Sequence, residues 1–408
     1  MSVFSSFDVL LPKAEFMNKW PVVACDQFTS QPEYWAELDK QIADAPSALR
    51  CILPEVELKS CSEDRYDNIR STMQTYLNNG IFNTYTDSFV YVERRLLDGS
   101  IRPGIVGVID LDEYDFNSDA VSAIRATEKT VVERIPPRMK VRRGAPIELS
   151  HVLLLCDDEK CSIIEPLKDI KEGLIPAYDM ELMQGGGHIS AWIVEGENAC
   201  ALRAAIESYC ERKRSEYTDT APMLFAVGDG NHSLATAKEC YEELKRSGAA
   251  ADMLSRARYA MVELENIMDE SQKFEPIHRI IDNCDVNELL AWLKDECCAD
   301  SGYPIPWISG NEEGTIYLDK SKGVLPIAIL QSALDNYLSS HIGEIDYIHG
   351  DDTVSTLAKK NGAIGFVLEA VPKNDFFHGI AKDGVLPRKT FSMGEAQEKR
   401  YYIEARKI

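Results

Sequence analysis

The chain has 408 residues, 45% of them apolar, and sets 44 basic against 67 acidic side chains for a net charge of −23. So acidic a surface repels phosphate backbones, which argues against DNA as a partner of the whole molecule. The longest apolar runs, such as "HVLLLC" and "AWIV", fall far short of the roughly 20 residues that span a bilayer, which argues against a membrane.

The N-terminus lacks the basic region that precedes the apolar stretch of a signal peptide. Eleven cysteines at irregular spacing, without a C-x-x-C pair, point to reduced thiols and a cytoplasmic protein.

In chain order, "PVVACDQ" predicts a short strand and "PEYWAELDKQI" a helix with Pro32 in its first turn. "RYDNIRSTMQTYLNNGIF" predicts a second helix. Three hairpins are then expected: "SFVYVERRLLDGSIRPGIVGVIDL" turning at Asp98-Gly99, "SHVLLLCDDEKCSIIEPL", and "AYDMELMQGGGHISAWIVEG" turning at 185–187. A long helix, "ACALRAAIESYCERKRSEY", leads into the strand "MLFAV" and the helix "SLATAKECYEELK". Strands and helices alternate from there to "KRYYIEAR". Hairpins in the first half and alternation in the second predict an α+β fold in two lobes, 1–218 and 219–408, parted at the polar "KRSEYTDTAP". The order is not that of a Rossmann fold.

Between "MLFAV" and the following helix stands Asp229-Gly230-Asn231-His232-Ser233. Turn chemistry accounts for part of it: Gly230 suits a positive φ, and Asn231 or Ser233 could cap the helix. Asp229 and His232 are left over. A strand-to-helix turn also presents free N–H groups at the positive end of a helix dipole, which suits phosphate or carboxylate. Asp229 could orient His232, take a proton from a hydroxyl, or hold magnesium.

Against the acidic background, "RIPPRMKVRR" carries Arg134, Arg138, Lys140, Arg142 and Arg143 with no acid among them. It is either a solvated loop or an anion site, since arginine grips phosphate bidentately. In "DYIHGDD", Asp351 or Asp352 suits a helix cap as well as a cation. His278-Arg279 in "EPIHRII" could reach an anion from a strand end.

"FAVGDGNHSLATA" resembles the Asp-Gly-His-His-Arg-x-x-x-Ala signature of a prokaryotic family known as domain of unknown function 1015, also labelled SpoOJ/ParB-like. "IRATEKTVVERIPPR", "FEPIHRII" and "LPRKTFSM" resemble that family's His-Glu-x-Thr, Pro-x-His-Arg and Pro-x-Lys-x-Thr segments, in the family's order. Asn231 and Ser233 stand where most members have histidine and arginine, and Ala126-Thr127 precede Glu128 where a histidine is usual, so the sequence resembles a divergent branch.

The Asp-Gly-x-His segment is similar to one in the free-serine kinases of the ParB/sulfiredoxin-like superfamily. That resemblance implies a nucleotide-dependent phosphotransferase using Mg2+ with ATP or ADP on a small hydroxylated metabolite. Glu128 or Asp229 would act as base, with Asp229 also a metal ligand, and His232 would contact phosphate. Arg134, Arg138, Arg142 and Arg143 would neutralise charge, and Gly230, Asn231, Ser233, His278, Arg279 and Lys389 would complete the anion site. The alternatives are a non-catalytic ParB-like module that senses a nucleotide or partner, and a family member that has lost activity.

Overall fold

The computed structural model describes residues 2–58, 61–387, 389–392 and 394–408. Contacts divide the chain into two units, one of Met1–Ala126, Thr130–Gln272 and Gly394–Ile408, the other of Thr127–Lys129 and Lys273–Met393.

The first unit is built on a mixed sheet. Its longest hairpin pairs Phe82–Arg95 with Ile101–Asp110 antiparallel, and Gly99 at φ +84° supplies the left-handed residue its turn requires. Successive residues of a strand face opposite sides of a sheet, and here both sides are covered. Phe89 and Tyr91 join one apolar cluster while Val90 and Val92 join another. This explains why "FVYV" is an unbroken apolar run rather than an alternating one.

On one face lie helix Gly196–Glu216, through Leu202, Ile206 and Tyr209, and helix Asn231–Ser247, through Leu234, Ala237 and Tyr241. On the other lie Trp20 and helix Pro32–Ile42 through Trp35 and Leu38, while the hairpin of Ile175–Glu181 with His188–Val194 extends the sheet itself, its second strand pairing antiparallel with residues 89–95.

The path across this sheet runs Tyr114–Asp115, Ile124–Ala126, Phe225–Asp229, Leu153–Cys156, Tyr259–Asn266, Ile101–Asp110, Phe82–Arg95, Phe7–Pro12, Ala405–Lys407 and Ile147–Leu149. Two expectations change accordingly. "SHVLLLCDDEKCSIIEPL" forms no hairpin: Leu153–Cys156 lies between Phe225–Asp229 and Tyr259–Asn266. The chain then turns on the buried Asp158, whose carboxylate accepts from the N–H groups of Ser162 and Ile163. Nor does the 218/219 boundary coincide with a unit boundary. Phe225–Asp229, just beyond it, pairs with Ile124–Ala126 and Leu153–Cys156, which long precede it in sequence.

The second unit holds a smaller sheet in the order Glu312–Leu318, Cys298–Ser309, Ile364–Phe366, Glu275–Asp282, Glu344–His349. The expected strand–helix–strand segment is present as Glu344–His349, Asp351–Leu357 and Ile364–Phe366. Its two strands do not pair with each other but flank Glu275–Asp282, both antiparallel. The architecture is mixed α/β of the α+β class. Among the described residues no helix is long and apolar enough to cross a membrane.

Candidate functional site

Phe225–Asp229 ends against Gly230, and helix Asn231–Ser247 starts at once. The cap is not the one expected from the sequence. Gly230, at φ +81°, occupies the cap position, so Asn231 is already helical and no side chain caps the helix. A Cβ at Gly230 would sit 3.0 Å from the Val152 backbone, so glycine is required there by space as well as by φ.

The Asp229 carboxylate accepts from its neighbour Gly230 N–H at 2.9 Å through one oxygen. The other oxygen lies 3.4 Å from the Lys399 ammonium, an ion pair without an aligned hydrogen bond. The Asn231 Oδ1 is buried without a partner among the described residues.

His232 is half-buried, and its Nε2 accepts from the Val131 N–H at 3.2 Å, which leaves the ring proton on Nδ1. Burial first, then the nearby guanidinium groups of Arg138 and Arg134, push its pKa down to about 4. The ring is therefore neutral at physiological pH. The native state excludes a proton that the unfolded chain binds, so this stabilisation is complete above pH 6.5 and is lost as pH falls through 4. After allowance for solvent around a partly exposed ring, it is on the order of 1–2 kcal/mol. His232→Asn should accordingly show a smaller drop in melting temperature between pH 7 and pH 4 than the unmodified protein. Equal drops would refute that assignment.

The basic run is helical rather than a loop. In Ile135–Arg142, Ile135 and Met139 pack on Ala235 and Cys240 of helix Asn231–Ser247. Arg138 and Arg142, four residues apart, share another face and line a cleft. Arg138 is half-buried, pairs with Glu55, and donates to the Arg134 carbonyl at 2.6 Å. Arg142 pairs with Glu148 at 2.7 Å and Arg143 with Glu243 at 2.8 Å, the latter on the surface. Arg134 is exposed and has no carboxylate within ion-pair distance among the described residues.

The cleft also contains residues that the sequence did not single out. His151 Nδ1 lies 2.6 Å from the Tyr402 hydroxyl and its Nε2 lies 3.7 Å from Asp26. Burial disfavours ionisation of Asp26, yet His151, Gln27 and Lys399 outweigh it and hold the carboxyl well below the usual range. Asp26 also acts electrostatically on Arg138 and His232, which places it among the charges at the helix start. The neighbouring Cys25 thiol is pushed up to about 12, mainly by burial, so it is no thiolate nucleophile. One signal for Asp26 was available: "PVVACDQ", like "MLFAVGDG", is an apolar strand broken by an acid.

The remaining candidates belong to the second unit. Glu128 lies in the segment that bridges in parallel to Leu386. Lys389 is exposed, at φ +57°. His278 and Arg279 do not stand at a strand end as expected. They sit mid-strand in Glu275–Asp282, point to opposite faces, and are both fully buried.

His278 Nδ1 accepts from Leu368 N–H at 3.1 Å, and its Nε2 faces Asp351 at 2.8 Å. Arg279 donates to Gln331 and to the Ile277 carbonyl, both at 2.6 Å, and lies over the Tyr347 ring. These two residues hold the smaller sheet together. Asp351 is drawn to His278 instead of capping its helix, whose cap residue is Gly350.

Fold and site together define a two-unit α+β protein whose first unit sets an uncapped helix start beside arginine. The chain belongs to the family described as protein of unknown function (DUF1015), whose pattern matches residues 6–379. No curated protein matches it.

Among solved structures it is similar to a mutant free serine kinase in complex with AMP, at 13% identity over 72% of this chain and 90% of that one, TM-score 0.38. It is also similar to a conserved hypothetical protein from Pyrococcus furiosus, at 14% identity over 74% and 94%, TM-score 0.33. A third is SbnI with a C-terminal truncation from Staphylococcus aureus, at 10% identity over 71% and 82%, TM-score 0.34.

Proposed function

We propose that the protein is a nucleotide-dependent phosphotransferase acting on a small hydroxylated metabolite. One observation carries the reading. The start of helix Asn231–Ser247 has no side-chain cap, and Arg134 and Arg138 lie close enough to help keep His232 neutral. Free N–H groups, a helix dipole and nearby guanidinium groups would suit phosphate oxygens.

In this reading the N–H groups of Asn231 and Ser233 and the Ser233 hydroxyl hold phosphate, while Arg134 and Arg138 neutralise charge as it develops. Asp229 accepts the proton of the attacking hydroxyl as its oxygen bonds to phosphorus and the nucleotide leaves. Glu128 is the competing base.

Among the described residues no group of three His, Cys, Asp or Glu side chains is placed to hold a metal. Asp229 would therefore offer magnesium one carboxylate, with phosphate oxygens and water supplying the rest, a common arrangement for that ion.

Incubation with ATP or ADP, magnesium and a pool of amino acids and polyols tests the proposal. Nucleotide should raise the melting temperature, by the equivalent of about 2.7 kcal/mol at a hundredfold excess over Kd, and it should be consumed. Neither effect appearing would end the proposal. A rise without consumption would favour a non-catalytic nucleotide-binding module. Asn231 and Ser233, standing where most family members have histidine and arginine, give that second reading its support.

A further inference from the structure

The cleft beside the helix start is lined by two kinds of side chain. Arg138, His151, Ser233, Thr236 and Tyr402 are polar. Leu53, Met73, Val141, Ile147 and Leu149 are apolar and belong together in one hydrophobic cluster. The cleft is small, about 110 Å3, so only a compact ligand fits it. Its apolar lining is part of a core cluster that also includes Cys51, Tyr66 and Ile69.

The acids on its walls are neutralised by the protein itself, Glu55 by Arg138 and Glu148 by Arg142 and Arg406. The cleft therefore does not repel an anion. A site for serine or a polyol alone would have no use for an apolar lining. Open apolar surface of this kind is stabilised by whatever removes it from water.

We infer that the cleft takes an anion joined to an apolar body, a phosphate ester of an alkyl or aryl group, with the phosphate toward Arg138 and Ser233 and the body between Met73 and Val141. The inference rests on the anion site of the preceding reading and adds the chemical class of what fills it. Two sources share that chemistry: the base end of a nucleotide and the apolar body of the hydroxylated acceptor or its phosphorylated product.

The test measures the affinity of the full chain for inorganic, methyl, butyl and phenyl phosphate by calorimetry. Each methylene buried tightens binding roughly fourfold, so butyl phosphate should bind more than tenfold tighter than methyl phosphate. Val141→Trp, which adds bulk to the apolar lining, should bring that ratio close to one. A flat series in the unmodified protein overturns the inference without any variant. Failure of every phosphate to bind overturns it together with the phosphotransferase reading. A steep series with no nucleotide consumed overturns that reading alone. Val141→Trp weakening AMP together with phenyl phosphate identifies the base as the natural occupant, whereas AMP binding with the parent's affinity identifies the acceptor.

Discussion

Replacing Asp229 by asparagine is expected to slow phosphoryl transfer by roughly two to four orders of magnitude, the usual worth of a positioned general base, while nucleotide still raises the melting temperature. The side chain stands at the end of a strand, one residue before an uncapped helix. Its amide isostere can still accept from the Gly230 N–H through the oxygen that does so now. What changes is the second oxygen, the one facing Lys399 at 3.4 Å. An NH2 group there can neither accept a proton nor pair with an ammonium group.

The variant should therefore melt somewhat lower than the parent, and its nucleotide shift must be read against its own baseline. Glu128→Gln is the companion measurement. If it abolishes turnover while Asp229→Asn does not, Glu128 is the base and the role given to Asp229 is wrong.

What the sequence revealed follows the range of the interactions involved. Local patterns survive: the Asp98-Gly99 hairpin, the helix at Pro32, and the glycine forced into a left-handed turn at 230 are all set by neighbours in sequence. The Asp229–Ser233 corner was legible for the same reason, although its cap fell one residue early because Gly230 bends before Asn231 can.

Contacts between distant segments were not legible. Asp26, His151 and Tyr402 come from three places in the chain, and nothing near any one of them announces the other two. His278 and Arg279 misled for the converse reason. A basic pair at the edge of an apolar run reads as a strand end. Only the neighbouring strands at 344–349 and 364–366 make its position interior. The boundary at 218/219 failed likewise, since a polar stretch marks exposure and not the end of a sheet.

Arg400→Met is expected to be the most destabilising single change near the cleft, by about 3–5 kcal/mol, because it leaves buried carboxylates without their counter-charge. Arg400 is buried and donates to the Ser150 and Tyr401 carbonyls at 2.9 and 3.0 Å and to Glu404 at 3.0 Å. Its Nε faces Glu263 at 3.0 Å, paired by charge rather than by an aligned hydrogen bond. Burial disfavours the charge, but Glu404 and Glu263 outweigh it and raise the pKa of the guanidinium.

The melting temperature should fall by roughly 4 to 8 °C. Adding Glu263→Gln and Glu404→Gln should recover much of the loss, because the cost lies in the stranded acids and not in the missing arginine. An Arg400→Met protein that melts with the parent would sink this account.

The change should also reach the cleft. Arg400 follows Lys399, the partner of Asp229, and lies two residues before Tyr402, the partner of His151. Its bond to Ser150 fixes the residue next to His151. One interior cation thus ties together side chains that approach the helix start from two segments, Lys399 and Tyr402 on its own and His151 beside Ser150. In the partly rescued triple variant, phosphate affinity should stay below that of the parent even where stability returns, since the Ser150 tie is still missing.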